Sequence, residues 1–146
     1  MQTALAPTIL AMTSALDRAL DRVGDRWTLL VVDALLGGPR KFGELEAAVP
    51  GIAPNILSDR LKRLAGDGLV IAEAYSERPP RYEYRLTAAG RDLGGVLTLL
   101  ARWGAAGDEA ALPRHEACGT PADVHWHCPT CDVPIDPGEA TTIRYV

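Results

Sequence analysis

The sequence predicts a mainly α protein of the α+β class, with one small pair of β-strands and a short extension of a different kind. Three observations point there. Apolar residues recur at helical spacing from Leu16 to Leu64 and again from Leu93 to Trp103. Between them, LVIAEAY and RYEYRLT read as two β-prone runs separated by SERPP. All three cysteines and all three histidines fall in HEACGTPADVHWHCPTCDV, positions 115–133.

Each element has its own signals. Leu16, Ala19, Leu20 and Val23 form the first helical stripe, and Ser14 with Asp17 makes a candidate capping box. Gly24 ends that helix and Asp25 caps the next. In RWTLLVVDALLGGPRKF, the expected apolar stripe is Trp27, Leu30, Val31, Ala34 and Leu35, closed by Gly37, Gly38 and Pro39. A short helix follows in FGELEAAVP and stops at Pro50. Another begins at APN, with Pro54 in its first turn, where a missing N–H costs nothing. On its wheel Leu57, Leu61 and Leu64 face a core, Asn55, Asp59 and Lys62 face out, and Ser58 lies beside them. The two prolines of SERPP predict a stiff strand connection unsuited to a tight hairpin. Thr87 caps a last helix whose stripe of Leu93, Val96, Leu97, Leu100 and Trp103 is wide enough to suggest a dimer seam as well as core.

Composition bounds what such a chain can be. At 47% hydrophobic and 23% charged, its 146 residues read as one globular domain with an appendage. The net charge of -4 does not favour a polyanionic partner, yet the stretch from Arg40 to Arg91 carries nine basic against seven acidic residues. Net charge therefore neither selects nor excludes nucleic acid. No apolar run is long enough to span a bilayer. The uncharged start MQTALAPTILAMTSAL lacks a basic leading segment and is broken by Pro7, so it reads as an arm rather than a signal peptide. An odd number of cysteines fits a reducing, cytoplasmic (nucleoid-associated) setting.

The order helix, helix, short helix, helix, strand, loop, strand, helix fits a winged helix-turn-helix. There a helix enters the major groove while an arginine-bearing loop reaches adjacent phosphates. The motifs WTLLVV, L-S-x-R-L-x-x-L-x-x-x-G-L-V, Y-x-Y-x-L-T and the glycine of TAAG come in that order over residues 14 to 105. In them the chain resembles HxlR-type transcriptional regulators, relatives of the MarR group. The resemblance implies a homodimer, joined largely through its first and last helices, that binds double-stranded DNA at an inverted-repeat operator and answers to an unknown small-molecule effector. Two departures matter. Where many such proteins carry a cysteine ahead of the WTLL motif, Ser14 stands here, which argues against that thiol switch. Where a serine usually caps the recognition helix, Ala53 stands, costing about 1 kcal/mol at the helix end, partly offset by Pro54.

Asn55, Ser58, Asp59 and Lys62 are the candidate groove-facing side chains: Asn pairs with adenine, Lys reaches guanine or phosphate, and Asp accepts from cytosine. Each equally suits a solvated polar face. Arg60, at the stripe's edge, holds either a carboxylate or a phosphate. In the wing, Arg78 and Arg81 flank Pro79 and Pro80 and suit phosphate or minor-groove contact.

In the tail, His115 and Cys118 are two residues apart, as are Cys128 and Cys131, with nine residues between the pairs. Two such turns facing each other make a tetrahedral Zn²⁺ site with structural rather than catalytic character. TPADVHWHC and TTIRYV read as strands, giving a zinc-ribbon-like tail too small for its own apolar core. His125 is a competing ligand; His127, adjacent to Cys128, is a weaker one; a polar strand face accounts for both. Asp132 stands where such knuckles often have glycine.

The expected organisation is an arm over residues 1–13, a winged helix-turn-helix over 14–112 and a zinc-binding tail over 113–146. No Ser-His-Asp set, phosphate-cradling loop or open metal site suggests an enzyme. The leading expectation is a dimeric DNA-binding regulator. A winged-helix protein–protein module and a metal- or redox-sensing regulator are the alternatives.

Overall fold

The structure is a computed structural model that describes residues 14–138. Helix α1 (Ala15–Val23) opens with Ser14 Oγ accepting from the Asp17 N–H at 3.0 Å, and its turn ends at Gly24. Helix α2 (Arg26–Leu36) is capped by Asp25 and closed at Gly37. Strand β1 (Arg40–Lys41) leads into α3 (Phe42–Ala48), and α4 (Pro54–Gly66) follows with Pro54 in its first turn. Strands β2 (Val70–Glu77) and β3 (Pro80–Leu86) form the wing. Helices α5 (Ala88–Arg91) and α6 (Leu93–Gly104) complete the folded unit. Beyond a 3-10 turn at Glu109–Ala111 comes a hairpin of β4 (Trp126–Cys128) and β5 (Val133–Ile135).

The core gathers one face from each helix around the base of the wing. Leu57, Leu61 and Leu64 of α4 are buried as the wheel predicts, against Val31, Val32 and Leu35 of α2 and Leu45 of α3. Val70, Leu86 and Leu97 close it from the strands and from α6.

Five expectations are corrected. On α2 the buried face is Thr28, Val31, Val32 and Leu35, at i, i+3, i+4 and i+7, while Leu30 is exposed. The stripe is rotated because Thr28, though polar, enters the core with its hydroxyl bonded to Asp25. The wing connection is tight: Glu77 pairs with Pro80, so Arg78 and Pro79 alone make the turn, joined by a cis peptide. Turns with cis-proline at the third position accommodate the residue that ordinary hairpin turns reject. A third strand, β1, joins the wing in the order β1-β3-β2, with Arg40 opposite Tyr84 and its Nε donating to the Ala34 carbonyl at 2.7 Å. Two residues are too few to leave a periodic signal. The last helix is split at Asp92, so Thr87 caps only α5. In the tail the paired strands are WHC and VPI; of TPADV only Pro121 makes a bridge, to Arg114. TTIRYV and the arm 1–13 lie outside the described residues.

The glycine of the TAAG motif has a plain cause. A Cβ at Gly90 would stand 2.2 Å from the Leu69 carbonyl oxygen, where the start of α5 folds against the strand entry. The Gly90 N–H donates to Thr87 Oγ1 at 3.1 Å, and the Thr87 hydroxyl donates to the Gly68 carbonyl at 2.7 Å. That turn delivers the chain from the wing to α6.

Candidate functional site

Helix α4 is tied at its middle and at its C-terminal end. At mid-helix, Arg60 Nε donates to Asp25 Oδ1 at 2.9 Å, which settles the choice for Arg60: it holds a carboxylate. The same carboxylate accepts from the Thr28 N–H at 3.0 Å, so the cap of α2 also orients α4. Partial burial alone would raise the Asp25 pKa, but Thr28 and Arg60 together hold it below the ordinary carboxylate value. At the C-terminal end, Arg22 donates to the Asp67 carbonyl at 2.9 Å, and Arg63 donates to the carbonyl of Asp21. These two arginines tie α1 to the end of α4.

So fixed, α4 presents Asn55, Asp59 and Lys62 to solvent with Ser58 half-buried beside them. No side chain caps its N-terminus, as Ala53 implies. Arg78 and Arg81 are both exposed, and neither makes an ion pair among the described residues. Ser58 and Lys62 share a groove with Tyr82 and Tyr84, so the polar face of α4 runs into the wing. Sequence reasoning missed these two tyrosines because Y-x-Y was taken only as a strand signature.

A second surface is apolar. Leu16 and Leu20 of α1 and Val96, Leu100 and Trp103 of α6 are all exposed, Trp103 at 82%, and they line one groove of about 540 Å³ with Leu93. Contiguous exposed apolar side chains of this kind suit coverage by another apolar surface.

The tail contains two turns of the same form. The Gly119 N–H donates to the His115 carbonyl at 2.8 Å, and the Asp132 N–H donates to the Cys128 carbonyl at 2.9 Å. In each turn the residue after the second candidate ligand has a left-handed backbone, with φ 69° at Gly119 and 53° at Asp132. Asp132 therefore takes the conformation for which glycine is the usual choice. His115 Nδ1 lies 3.3 Å from Cys118 Sγ. Hydrogen bonds from Thr120, and then from His115, lower the Cys118 pKa. The backbone of Cys131 and Thr130 lowers that of Cys128, and the facing Cys128 raises that of Cys131. The structure thus brings His115 to Cys118 and Cys128 to Cys131, each pair on its own turn, and does not bring one pair to the other: among the described residues no three His, Cys, Asp or Glu side chains form one metal-holding group. The other histidines turn to carboxylates: His125 Nε2 lies 3.1 Å from Asp123 and His127 Nε2 lies 3.0 Å from Asp132. Arg102 of α6 holds the tail, donating to the Ala122 carbonyl at 2.6 Å and meeting Asp123 at 3.1 Å.

Comparison with known proteins bears on the winged-helix unit. Residues 22–111 match the family described as HxlR-like helix-turn-helix. An uncharacterized HTH-type transcriptional regulator of Mycobacterium tuberculosis (strain ATCC 25618 / H37Rv) is 41% identical over 138 residues, covering 88% of this chain and 80% of that protein. One from Bacillus subtilis (strain 168), YvaP, is 38% identical over 92 residues, covering 63% and 85%. Among solved structures, the redox regulator HypR in its reduced form superposes with a TM-score of 0.60 at 30% identity, over 66% of this chain and 96% of that one. The reduced form of the transcriptional regulator YodB from B. subtilis does so with a TM-score of 0.55 at 27% identity, over 73% and 98%.

Proposed function

The chain belongs to the HxlR-like helix-turn-helix family, whose members named above are transcriptional regulators and not enzymes, and on that premise we propose that it acts as a homodimeric, sequence-specific DNA-binding regulator. The observation that carries this reading is α4. Its three leucines are sunk in the core, arginine contacts hold it at its middle and its C-terminal end, and its polar face shares a groove with Tyr82 and Tyr84 of the wing. In the proposed complex α4 lies in the major groove. Asn55, Ser58, Asp59 and Lys62 meet base edges or phosphates, and Arg78 and Arg81 reach the flanking backbone.

A second copy of the chain covers the apolar groove between α1 and α6 in this reading, and the symmetry of the pair matches an inverted repeat with half-sites about 10 bp apart. Residues 14–112 form the DNA-binding and dimerising unit. Residues 113–146 form a tail that holds a structural Zn²⁺ through His115, Cys118, Cys128 and Cys131. The paired turns support that site: both have the hydrogen bond and the left-handed residue that aim two ligands from one knuckle. A bound Zn²⁺ would link the two knuckles, with His115 and Cys118 from one and Cys128 and Cys131 from the other as its ligands.

Footprinting of the purified protein across its own chromosome is the decisive experiment. Protection of pseudo-palindromes is expected, with Asn55→Ala relaxing base preference and Arg81→Ala weakening all sequences alike. Sedimentation showing only a 15.6 kDa species at micromolar protein, or no protected site at low salt, would overturn it.

A further inference from the structure

Strand β2 contains an irregularity in its pairing with β3. Its pairing with β3 passes from Ala74 opposite Tyr82 to Ser76 opposite Arg81, leaving Tyr75 outside the ladder. Such bulges re-aim a side chain. Here the Tyr75 ring meets Lys41, whose Nζ stands 4.8 Å from the ring centroid. Lys41 lies on β1 and Tyr75 on β2, with β3 between them, so the contact reaches over the central strand. It closes one side of a concavity of about 390 Å³ lined by Lys41, Gly43, Tyr75, Arg81, Tyr82 and their neighbours.

The chemistry of that concavity is specific. Lys41 and Arg81 are exposed, and neither makes an ion pair among the described residues. Tyr75 and Tyr82 are 49% and 43% exposed, so both rings can be reached from solvent. The acidic groups around it are partly engaged. Glu44 accepts the Lys41 N–H at 2.7 Å and Glu73 holds Arg85 at 2.6 Å, which leaves Glu83, opposite Lys41 in the ladder, and Glu77, opposite Pro80 at its edge. Two cations with tyrosine hydroxyls beside them make a donor set for phosphate oxygens. Tyr82 and Tyr84 line this pocket and also the groove shared with Ser58 and Lys62, so the surface continues from α4 without a break.

We infer that Lys41, Tyr75, Arg81 and Tyr82 form a pocket for a backbone phosphate of duplex DNA, flanking the base steps that α4 reads. The inference rests on the DNA-binding reading above. The pocket holds the phosphate through charge and hydroxyl donors, carries no sequence information, and fixes the register of α4 in the groove. The ring of Tyr75 keeps the Lys41 ammonium in place when no DNA is bound.

The test is fluorescence anisotropy with a labelled random-sequence duplex of about 30 bp, roughly three helical turns, titrated at a series of salt concentrations. For Lys41→Gln the slope of log affinity against log salt should fall by about 0.9 per bound protomer, with about eightfold weaker binding per protomer at 0.1 M salt. Lys41→Arg should restore the slope. Tyr75→Phe, which keeps the ring, should lose less than Tyr75→Ala. Circular dichroism should show all four variants folded, since Lys41 and Tyr75 are exposed. If the wild-type protein binds the duplex and Lys41→Gln keeps both its affinity and its slope, the pocket is not a phosphate site, although the regulator reading stands. If the wild-type protein binds no duplex even at low salt, both fall.

Discussion

Between Val23 and Leu97 fourteen apolar side chains are buried in one cluster, whereas among the described residues after Pro113 none is. The two regions stay folded by different means. The winged-helix unit removes leucine and valine faces from water and then uses arginines to set one helix against another. The tail has little apolar surface to hide; its order comes from short-range hydrogen bonds, two left-handed residues and the grip of Arg102. Burial scales with the number of residues that can surround a centre, and a segment this short has too few. The difference teaches which residues shape each region: buried leucines in one, turn residues and short-range hydrogen bonds in the other.

The largest effect should follow from removing the metal proposed for the tail. Apparent zinc affinities of such sites, about 10–16 kcal/mol, are mostly folding free energy. A strong chelator should therefore abolish amide protection from His115 to Asp132 while leaving the winged-helix unit folded. Elemental analysis should find zinc in the native chain and lose it in Cys118→Ser and Cys131→Ser. No metal in protein purified without chelators, or full occupancy in both variants, would remove the metal from this comparison.

The converse change acts on the other region. Leu61 is almost wholly buried in the core, and Leu61→Ala should cost about 2–5 kcal/mol through lost burial and the cavity left behind. Thermal unfolding of the helices should shift down accordingly, with metal content unchanged below the transition. Equal loss of zinc and of helix at every temperature would mean that the two regions fold as one.

Legibility in the sequence followed the same division. The leucine spacing of α4 predicts its buried face because periodic burial leaves a periodic pattern. The α2 stripe was misplaced by Thr28, a polar residue made apolar in effect by its bond to Asp25. Strand β1 is illegible for another reason: a two-residue strand exists only through its partner β3, distant in sequence. The wing turn is illegible because the isomer of a proline bond leaves no mark in residue spacing. In the tail, spacing alone marks both knuckles, but the turn of His125 and His127 toward Asp123 and Asp132 required coordinates. The tyrosines beside α4 look like ordinary strand residues until the bulge and Lys41 are seen together.

A smaller effect sharpens how the folded unit is tied. Asp25→Asn keeps a good helix cap but removes the charge that holds Arg60, and should cost under about 1 kcal/mol at neutral pH. Because the folded pKa of Asp25 lies below its ordinary 3.8, the stabilisation it gives is present above that value and is lost as pH falls through the folded one. The wild-type melting temperature should therefore drop more steeply than that of Asp25→Asn as the pH is lowered below 3.8. Parallel acid profiles would show that the ion pair with Arg60 adds nothing.

The smallest effect compares the two knuckles with each other. Gly119 and Asp132 hold the same left-handed place in their turns, at φ 69° and 53°. Gly119→Ala puts a Cβ into that conformation, at about 1–2 kcal/mol, and should loosen zinc retention by that amount. Asp132→Gly runs the other way. It relieves a cost of similar origin, but the unfolded chain gains freedom and the exposed contact with His127 is lost, each within about 1 kcal/mol. The net change should be under about 1 kcal/mol, measured as the chelator concentration that releases half of the metal. If Asp132→Gly instead lost zinc as completely as Cys131→Ser, the carboxylate itself would be a ligand and the knuckle would be of a different kind.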